Sequence, residues 1–372
     1  MGPTVESSGA KTLPVLRACQ LFPSTTSASC KAIVPVFHGN SHISSVTHEA
    51  VRNCPQAKLE LSVDPDHGPR FPPQSMNFLS LEETNADTLT ALIDLAVQMK
   101  ATREQHAVFP LTGQTWALIF TKASTRTRVS FEVGIRELGG HVMFLSGNDI
   151  QLGRGEPIKD TARVLGRMVH GAIIRTFAQE DVQDFARFSS IPTINALTDE
   201  EHPCQILADL LTIREKLGSW EGKKIAFIGD GDNNMSRSWM WAAKNLGFEL
   251  SVAAPQSCLP PQDFMDRLAA PNVSLTTDPR EAAAGAQVVN TDVWLSMGQE
   301  DQAEKEAQFG EYQVNRTLLS ECAPDHLVLH CLPAYRGKEI TEEVLEDHAE
   351  TIFQQAENRL HAQKAVLATI AR

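Results

Sequence analysis

Apolar residues in this chain are grouped into two series of short runs that begin after residue 78. The first series contains four runs of strand length: Trp116–Phe120, His141–Leu145, Ala172–Phe177 and Thr193–Leu197. The second series contains four more: Lys224–Ile228, Leu250–Ala254, Gln287–Asn290 and His326–His330. Stretches with helical or loop character separate the runs, and Asp87–Lys100 has helical spacing. This alternation predicts an α/β fold with two doubly wound parallel-sheet domains joined by bridging helices.

Two amphipathic segments are predicted to connect these domains. Gln205–Leu217 has apolar residues at helical spacing and ends before a glycine, which favours a helix that bridges the two series. Glu357–Arg372 also has helical spacing. We expect a first domain over residues 76–208, with the C-terminal helix 355–372 packing back on it, and a second domain over residues 209–354.

Residues 1–75 differ from the rest of the chain, because they are rich in Ser, Thr and Pro and have no sustained periodicity. One interpretation is an organelle transit segment, although Arg17 is the only arginine in the first fifty residues. The other is a disordered extension, since the sequence from Met76 looks like a natural protein start. We exclude the segment from the fold. We expect a cytoplasmic protein if it is not a targeting segment, and otherwise one of the plastid stroma or mitochondrial matrix.

Composition narrows the possible partners. The net charge of −13 disfavours a broad nucleic-acid surface, and no apolar run approaches the length of a membrane span. The seven cysteines include no Cys-x-x-Cys pair. Those of the folded part suggest reduced thiols in an intracellular compartment. We therefore predict no nucleic-acid partner and no membrane partner.

The run at residues 122–128, Lys-Ala-Ser-Thr-Arg-Thr-Arg, lies between the strand-like Trp116–Phe120 and a helical pattern that begins at Val129. A helix N-terminus offers free backbone N–H groups and a positive dipole end. Hydroxyls and guanidiniums at that position form a receptor for a doubly charged anion such as phosphate. The candidate residues are Ser124, Thr125, Arg126 and Thr127. The alternative interpretation is an N-cap followed by surface arginines.

Polar residues also follow five other predicted strands. In parallel sheets, ligands bind at the carboxyl ends of strands, so we expect all six strand ends to meet in one cleft. The other five segments are Arg175, Thr198–Gln205, Gly229–Asn234, Thr291–Gly298 and His330–Pro333.

Two of these segments suggest polar substrate contacts. His202 and Gln205 could hold a carbonyl-type group next to the phosphate, although a chance histidine at a helix start fits the same pattern. Gly229–Asn234 resembles half of a dinucleotide fingerprint, but Asn234 stands where the third glycine is required. A nicotinamide cofactor is therefore disfavoured, and the asparagines fit a polar substrate better.

The segment with Asp292, Ser296 and Met297 follows a strand and ends at a glycine. An aspartate there can pair with an amine, and backbone groups can hold a carboxylate. The alternative is an Asx-turn, in which the aspartate only bonds to its own backbone.

Cys331 directly follows His330 at a predicted strand end. A Cys–His nucleophile dyad is disfavoured, because adjacent strand residues point to opposite faces. A buried apolar cysteine is one alternative. A metal site is another, though its spacing is not that of a zinc finger. That metal set would consist of His202, Cys204, His330 and Cys331.

Four motifs together resemble the aspartate/ornithine carbamoyltransferase family, and the last two resemble its ornithine-specific members. They are Ser124-Thr-Arg-Thr-Arg, His202-Pro-Cys-Gln, Asp292-Val-Trp-Leu-Ser-Met-Gly and His330-Cys-Leu-Pro. The resemblance runs from about Phe78 to Arg372. It implies a carbamoyl phosphate-binding first domain and an ornithine-binding second domain.

The resemblance also implies roles for individual residues. Those implied to bind carbamoyl phosphate are Ser124, Thr125, Arg126, Thr127, Arg175, His202, Gln205 and Arg359, with Gln151 lent to a neighbouring subunit's site. Those implied to bind ornithine are Asn234, Asp292, Ser296, Met297, Cys331 and Leu332. The residues expected to act in catalysis are Cys331, Asp292, Arg126 and His202.

The implied reaction transfers a carbamoyl group to the side-chain amine of L-ornithine, giving L-citrulline and phosphate in arginine biosynthesis. It requires no metal or redox cofactor. A homotrimer with shared active sites is implied as well. Arg237 stands where family members often have a small polar residue or His. Three alternatives are transfer to another amine such as putrescine or N-acetylornithine, a catalytically silent regulatory relative, and a dinucleotide-dependent oxidoreductase.

Overall fold

The computed structural model describes residues 77–103, 109–147, 155–295 and 303–371. Within these ranges the strands form two separate sheets of five strands each, and all strand pairs are parallel. The predicted α/β class with two parallel sheets is therefore confirmed. Four predictions concern residues outside the described ranges: the 1–75 extension, Gln151, Ser296 and Met297.

The first sheet is built from the N-terminal series of apolar runs. Its strands are β1 (Asn77–Phe78), β2 (Thr115–Phe120), β3 (His141–Ser146), β4 (Gly171–Arg175) and β5 (Thr193–Leu197). Their spatial order is β1-β5-β4-β2-β3. The chain leaves β2 toward β3 on one side and returns to β4 on the other, so the strand order reverses between β2 and β4. Loops at such a reversal diverge and leave a crevice for a ligand.

The second sheet repeats this arrangement. Its strands are β6 (Lys224–Ile228), β7 (Glu249–Ala253), β8 (Val273–Thr276), β9 (Val288–Thr291) and β10 (Leu327–His330). Their order is β10-β9-β6-β7-β8, which places the reversal between β6 and β9. His330 is in register with Thr291, so the next residue on each strand, Cys331 and Asp292, emerges at the same edge.

Helices cover both sheets. They are α1 (Ala86–Ala101), α2 (Thr125–Glu137), α3 (Ile158–Leu165), α4 (Gln179–Ser189), α5 (Pro203–Leu217), α6 (Asn234–Leu246), α7 (Gln262–Leu268), α8 (Pro279–Ala283), α9 (Ala303–Glu306), α10 (Arg316–Leu319), α11 (Glu342–Asp347) and α12 (Ala349–Ile370). None of those described is long and apolar enough to cross a membrane. The last helix packs against α5, α1 and α2 and also contacts β10. Helix α12 therefore contacts α2 and α5, which follow strands of the first sheet, and β10 of the second sheet.

One continuous apolar core lies between the two sheets. It contains Leu118 of the first sheet, Leu207 of α5 and Phe227 of the second sheet, all fully buried. Separate clusters cover the outer faces, with Ile119 in one and Val289 in the other. The shared core explains why α5 is buried along most of its length. The positions of α5 and α12 are thus set by packing on both sides.

Some element bounds differ from the sequence-based prediction. Strand β4 ends at Arg175 rather than at Phe177, whose side chain is half exposed and belongs to the following loop. Helix α12 begins at Ala349, before the predicted Glu357, because its first turns reach the second sheet's outer core through Ile352. Strands β1 and β8 were not predicted, since they are short and only partly buried. The domain boundaries stay a prediction.

Candidate active site

A cavity of about 580 Å³ opens where residues following β2, β4, β5, β6, β9 and β10 meet. Most predicted site residues of the described chain line it: Ser124, Thr125, Arg126, Arg175, His202, Asn234, Asp292, Cys331, Leu332 and Arg359. Thr127 and Gln205 are fully buried outside the lining. The structure therefore brings the six predicted strand ends together in one cavity.

The anion-binding loop is fixed by the start of α2. Ser124 is the N-cap residue, and its hydroxyl accepts a hydrogen bond from the Thr127 backbone N–H at 3.3 Å. The N-cap interpretation is thus correct for Ser124, and it is compatible with an anion site at the same helix end. Thr127 Oγ1 in turn accepts from Nη2 of Arg359 at 2.5 Å. This bond ties α12 to the loop.

Three guanidiniums lie close together at this end of the cavity. Burial lowers the pKa of Arg175 to about 10, and the positive charges of Arg359 and Arg126 add to the shift. Burial likewise lowers the pKa of Arg359 to about 10, with Arg126 contributing in the same direction. Cations crowded into a partly dry site repel one another, and an anion placed between them relieves that repulsion. The arrangement favours a multiply charged anion.

Arg175 owes its position to an irregularity in the first sheet. Between β4 and β5 the register shifts at Ile174 and Arg175, so that Arg175 pairs with Leu197. Shifts of this kind re-aim side chains and are frequent beside functional sites. Here the shift occurs at the strand end from which Arg175 enters the cavity.

His202 lies at the N-terminus of α5 and faces the guanidiniums. Burial lowers its pKa well below the ordinary value, and the charges of Arg359 and Arg175 lower it further. The imidazole is therefore neutral near pH 7. Its Nδ1 is buried and has no hydrogen-bond partner within the described ranges. The His202 backbone N–H donates to Ser238 Oγ of α6 at 2.8 Å, so the histidine is attached to the second sheet's first helix.

Asp292 and Cys331 form a pair on the second-sheet side of the cavity. The Cys331 thiol donates to Asp292 Oδ1 at 2.8 Å, and the same oxygen accepts from the Val293 backbone N–H at 2.8 Å. Burial raises the pKa of the Asp292 carboxyl. Loss of water and the neighbouring Asp292 charge raise the pKa of the Cys331 thiol well above its ordinary value. Cys331 is therefore a protonated donor near pH 7, not a thiolate.

The loop after β10 is held by a buried histidine–glutamate pair. His330 Nε2 lies 3.1 Å from Glu339 Oε1, and both side chains are excluded from solvent. His330 Nδ1 accepts from the Leu332 backbone N–H at 2.9 Å, and Glu339 Oε1 accepts from that of Tyr335 at 2.6 Å. Leu332 has a φ of 56°, a left-handed conformation that a branched residue adopts only when its surroundings impose it. The His330–Glu339 pair imposes this conformation, because the Leu332 N–H bonds to His330 Nδ1.

A possible metal-binding group also involves this loop. Ligand atoms of Asp292, His330 and Cys331 lie within 4.8 Å of one another. Both ring nitrogens of His330 already have partners, Leu332 on one side and Glu339 on the other. The histidine therefore has no nitrogen to offer an ion unless the loop rearranges.

The structure also places Asn234 and Arg237. Asn234 lines the cavity, and its amide nitrogen donates to the Thr198 carbonyl oxygen at 2.7 Å. Arg237, by contrast, forms an ion pair with Asp232, with Nη2 and Oδ1 2.8 Å apart, and does not line the cavity. Arg237, which departs from the family pattern, therefore lies on α6 outside the cavity.

Lys122 and Asp199 line the cavity although the sequence analysis gave them no role. Their side chains form an ion pair, and the buried Lys122 ammonium also lies 4.2 Å from the ring centroid of Phe177. Each residue follows a first-sheet strand by two positions. Both could therefore have been identified from their position just after a predicted strand.

Two protein-family models match most of the chain. The model described as "Aspartate/ornithine carbamoyltransferase, carbamoyl-P binding domain" matches residues 76–215. The model described as "Aspartate/ornithine carbamoyltransferase, Asp/Orn binding domain" matches residues 221–370.

Curated relatives and solved structures agree with these models. An ornithine carbamoyltransferase of Akkermansia muciniphila is 67% identical over 298 residues, which cover 79% of this chain and 98% of the relative. An anabolic ornithine carbamoyltransferase of Pseudomonas aeruginosa is 50% identical, covering 78% and 95%. The crystal structure of the anabolic ornithine carbamoyltransferase from Campylobacter jejuni has a TM-score of 0.75 at 42% identity, covering 79% of this chain and 98% of that one. This chain belongs to the aspartate/ornithine carbamoyltransferase family.

Proposed function

We propose that this chain transfers the carbamoyl group of carbamoyl phosphate to the side-chain amine of L-ornithine, giving L-citrulline and phosphate. The observation that carries the proposal is the pairing of opposite chemistries in one cavity. Arg126, Arg175 and Arg359 form what we call its arginine end, and the Asp292–Cys331 pair, carried by the second sheet, forms what we call its amine end. The relatives named ornithine carbamoyltransferase support the same reaction.

The arginine end suits carbamoyl phosphate. The phosphate binds at the N-terminus of α2, where hydroxyls and guanidiniums compensate its charge. As the amine attacks the carbamoyl carbon, the C–O bond to phosphate breaks, and negative charge grows on the carbonyl oxygen and on the leaving group. Fixed cations at these positions stabilise that charge without reorganising. The neutral ring of His202 provides a further polar contact that adds no charge of its own.

The Asp292 end suits an amine. A buried carboxylate attracts the ornithine ammonium and repels the second carboxylate of aspartate, the other substrate in the family's name. The ornithine amine resembles that of Lys, with a pKa near ~10.4, so it must lose a proton before attack. Asp292 is the candidate acceptor, because its raised pKa increases its affinity for a proton. Cys331 keeps its own proton and orients the carboxylate.

We also propose a homotrimer in which neighbouring subunits share active sites. Strand β3 is an edge strand, and the nearby Met143 and Val129 side chains are 44% and 54% exposed. A surface cavity of about 400 Å³ adjoins this edge and includes Ser124 and Thr125 of the anion-binding loop. A neighbour's segment seated there would reach the phosphate.

Mixing two inactive variants tests the shared site. If Gln151 serves the neighbouring subunit, Arg126→Ala and Gln151→Ala impair the same site from two different chains. Denaturing and refolding them together should then restore part of the activity, because some sites receive both intact residues. No recovery in mixed trimers, or a fully active monomer by light scattering, would rule out sharing.

The proposed reaction is tested by assaying the purified chain with carbamoyl phosphate and a panel of amines. The panel contains L-ornithine, L-aspartate, putrescine and N-acetylornithine. We expect citrulline from ornithine and no product from aspartate. Faster carbamoylation of putrescine or N-acetylornithine would show that this amine, rather than ornithine, is the acceptor substrate. No product from any amine would favour a catalytically silent relative.

A further inference from the structure

A buried hydrogen-bonded chain links Gln205 of α5 to the end of β10, the strand that precedes Cys331. Gln205 Nε2 of α5 donates to Asp209 Oδ1 at 2.8 Å, and Gln355 Nε2 of α12 donates to the same oxygen at 2.7 Å. Gln355 Oε1 accepts from the His330 backbone N–H at 2.9 Å. All four residues are essentially excluded from solvent. The chain thus runs from the carbamoyl side to the residue before Cys331.

Asp209 determines how both carboxamides are oriented. Asp209 Oδ1 accepts hydrogen bonds from both carboxamides, so each glutamine must turn its NH₂ group toward it. Gln205 Oε1 is then the free end, and it has no partner within the described part of the chain. Gln355 Oε1 is directed toward β10, where it holds the backbone of His330. A wrongly turned carboxamide would place two donors or two acceptors face to face.

We propose that Asp209 is a positioning residue for both substrates. Through Gln205 it keeps a carboxamide oxygen that has no partner among the described residues, as an acceptor for the carbamoyl NH₂ group when the substrate binds. Through Gln355 it fixes the end of β10, from which Cys331 reaches Asp292. This inference rests on the proposed carbamoyl transfer, since it needs both substrates to bind in the same cavity. It makes α12 part of the link between the two half-sites.

Burial of Asp209 is consistent with this role. Asp209 Oδ2 has no hydrogen-bond partner among the described residues, so both observed bonds converge on Oδ1. Burial raises the pKa of Asp209 to about 7, while the two glutamine bonds and the Arg359 charge oppose the shift. A carboxyl retained in such an environment without an ion-pair partner stabilises the fold poorly. Asp209 is retained because it orients Gln205 and Gln355.

Steady-state kinetics of Asp209→Ala test the inference. We expect kcat/KM to fall about 10- to 100-fold for both substrates, because a buried acceptor for two donors is removed. Gln355→Ala should raise the KM for ornithine and leave that for carbamoyl phosphate within about twofold. The double variant should be no worse toward ornithine than Asp209→Ala, since the two residues act in series.

Thr212→Val is the matched control. Thr212 lies on the same helix, is fully buried, and accepts a bond from Asn358 of α12 at 2.9 Å, but within the described ranges its side chain bonds only to Asn358 and to the Ala208 carbonyl. Its thermal stability should fall as in Asp209→Ala while both KM values stay within about twofold of wild type. Asp209→Asn retains an oxygen that can accept both bonds, so it should recover much of the activity lost in Asp209→Ala.

Equal kinetics for Asp209→Ala and Thr212→Val would overturn the positioning role and leave Asp209 structural. Asp209→Asn as impaired as Asp209→Ala would also overturn it, because the charge rather than the hydrogen bonds would then matter. A wild-type enzyme that makes no citrulline would instead refute the proposed function itself.

Discussion

The two ends of the cavity are built in opposite ways. The arginine end combines consecutive residues, Ser124 to Arg126, at one helix N-terminus with Arg175 of β4 and Arg359 of α12. The amine end is assembled from the ends of two strands, with Asp292 and Cys331 brought together by the register of β9 and β10. At the first end, one short motif supplies the hydroxyls and one of the three guanidiniums. The second depends on the whole second sheet, so its geometry is more vulnerable to distant substitutions.

Their electrostatics differ as well. At the arginine end, burial and, to a smaller extent, repulsion between the cations lower the pKa values of Arg175 and Arg359, which prepares the site for an anion. At the amine end, burial raises the pKa values of Asp292 and Cys331, which prepares it for proton transfer. One end therefore binds charge, and the other is arranged to move a proton. Substitutions at the two ends should produce different kinetic signatures.

The largest effect is expected for Asp292→Asn. Loss of the proton acceptor should lower kcat/KM for ornithine by about 10²- to 10⁴-fold and flatten its pH dependence. Carbamoyl phosphate binding should be retained, because Asp292 bonds to Cys331 and Val293 rather than to the anion-binding loop. Steady-state assays across pH check this. A pH profile of unchanged shape would show that Asp292 does not accept the proton.

Arg126→Ala should give the opposite signature. Removing a charge-assisted phosphate contact costs about 1.5–3 kcal/mol, so the KM for carbamoyl phosphate should rise by about one to two orders of magnitude. Arg136→Ala is the control, since Arg136 is on the same helix but 68% exposed. Circular dichroism should show both variants folded. Unchanged carbamoyl phosphate affinity would refute the anion site.

Cys331→Ser should have a smaller effect. The protonated thiol orients Asp292 and forms no bond to substrate, so the serine variant should keep measurable turnover with weaker ornithine affinity. Mass spectrometry of enzyme quenched during turnover should find no carbamoyl group on Cys331. A carbamoyl adduct, together with an inactive serine variant, would establish a thiocarbamate intermediate instead.

Glu201→Gln should change stability more than activity. Burial raises the pKa of Glu201 to about 8, although its carboxylate accepts a bond from the Leu81 backbone N–H at 2.7 Å. The folded state thus holds a proton that the unfolded state releases above its pKa of ~4.3. This contribution to stability is complete below that pKa and is lost as pH rises toward 8. The melting temperature of the variant should therefore depend less steeply on pH between these two pKa values than that of wild type. An equal pH dependence would contradict this role of Glu201.

Removal of the first 75 residues should have the smallest effect. The family models begin at residue 76, and the preceding segment has no periodic apolar face. We expect a chain that begins at Met76 to be soluble and to keep the wild-type kcat and the wild-type KM values for carbamoyl phosphate and ornithine. An inactive or aggregated product would place the segment within the catalytic fold.

Residues at the ends of parallel strands could be predicted from the sequence alone. The strand-end rule located Arg126, His202, Asp292 and Cys331, because position along a parallel strand is a local property. It could not show that the Cys331 thiol donates to Asp292, since that depends on register between β9 and β10.

Residues that act through other residues were also missed. Glu339 follows no strand, and Asp209 and Gln355 lie within helices, where a polar residue looks the same whether it faces solvent or a buried partner. Their roles arise from the packing of α12 on α5 and β10. Sequence spacing alone does not reveal contacts between such distant segments.

The division of the cavity into an anion end and an amine end is tested most directly by calorimetric titration with inorganic phosphate. Wild type, Arg126→Ala and Asp292→Asn should be compared at one pH and salt concentration. We predict that Arg126→Ala loses phosphate binding, whereas Asp292→Asn binds phosphate at least as tightly as wild type, because a nearby negative charge has been removed. Weaker binding in Asp292→Asn by as much as in Arg126→Ala would contradict the separation of the two ends.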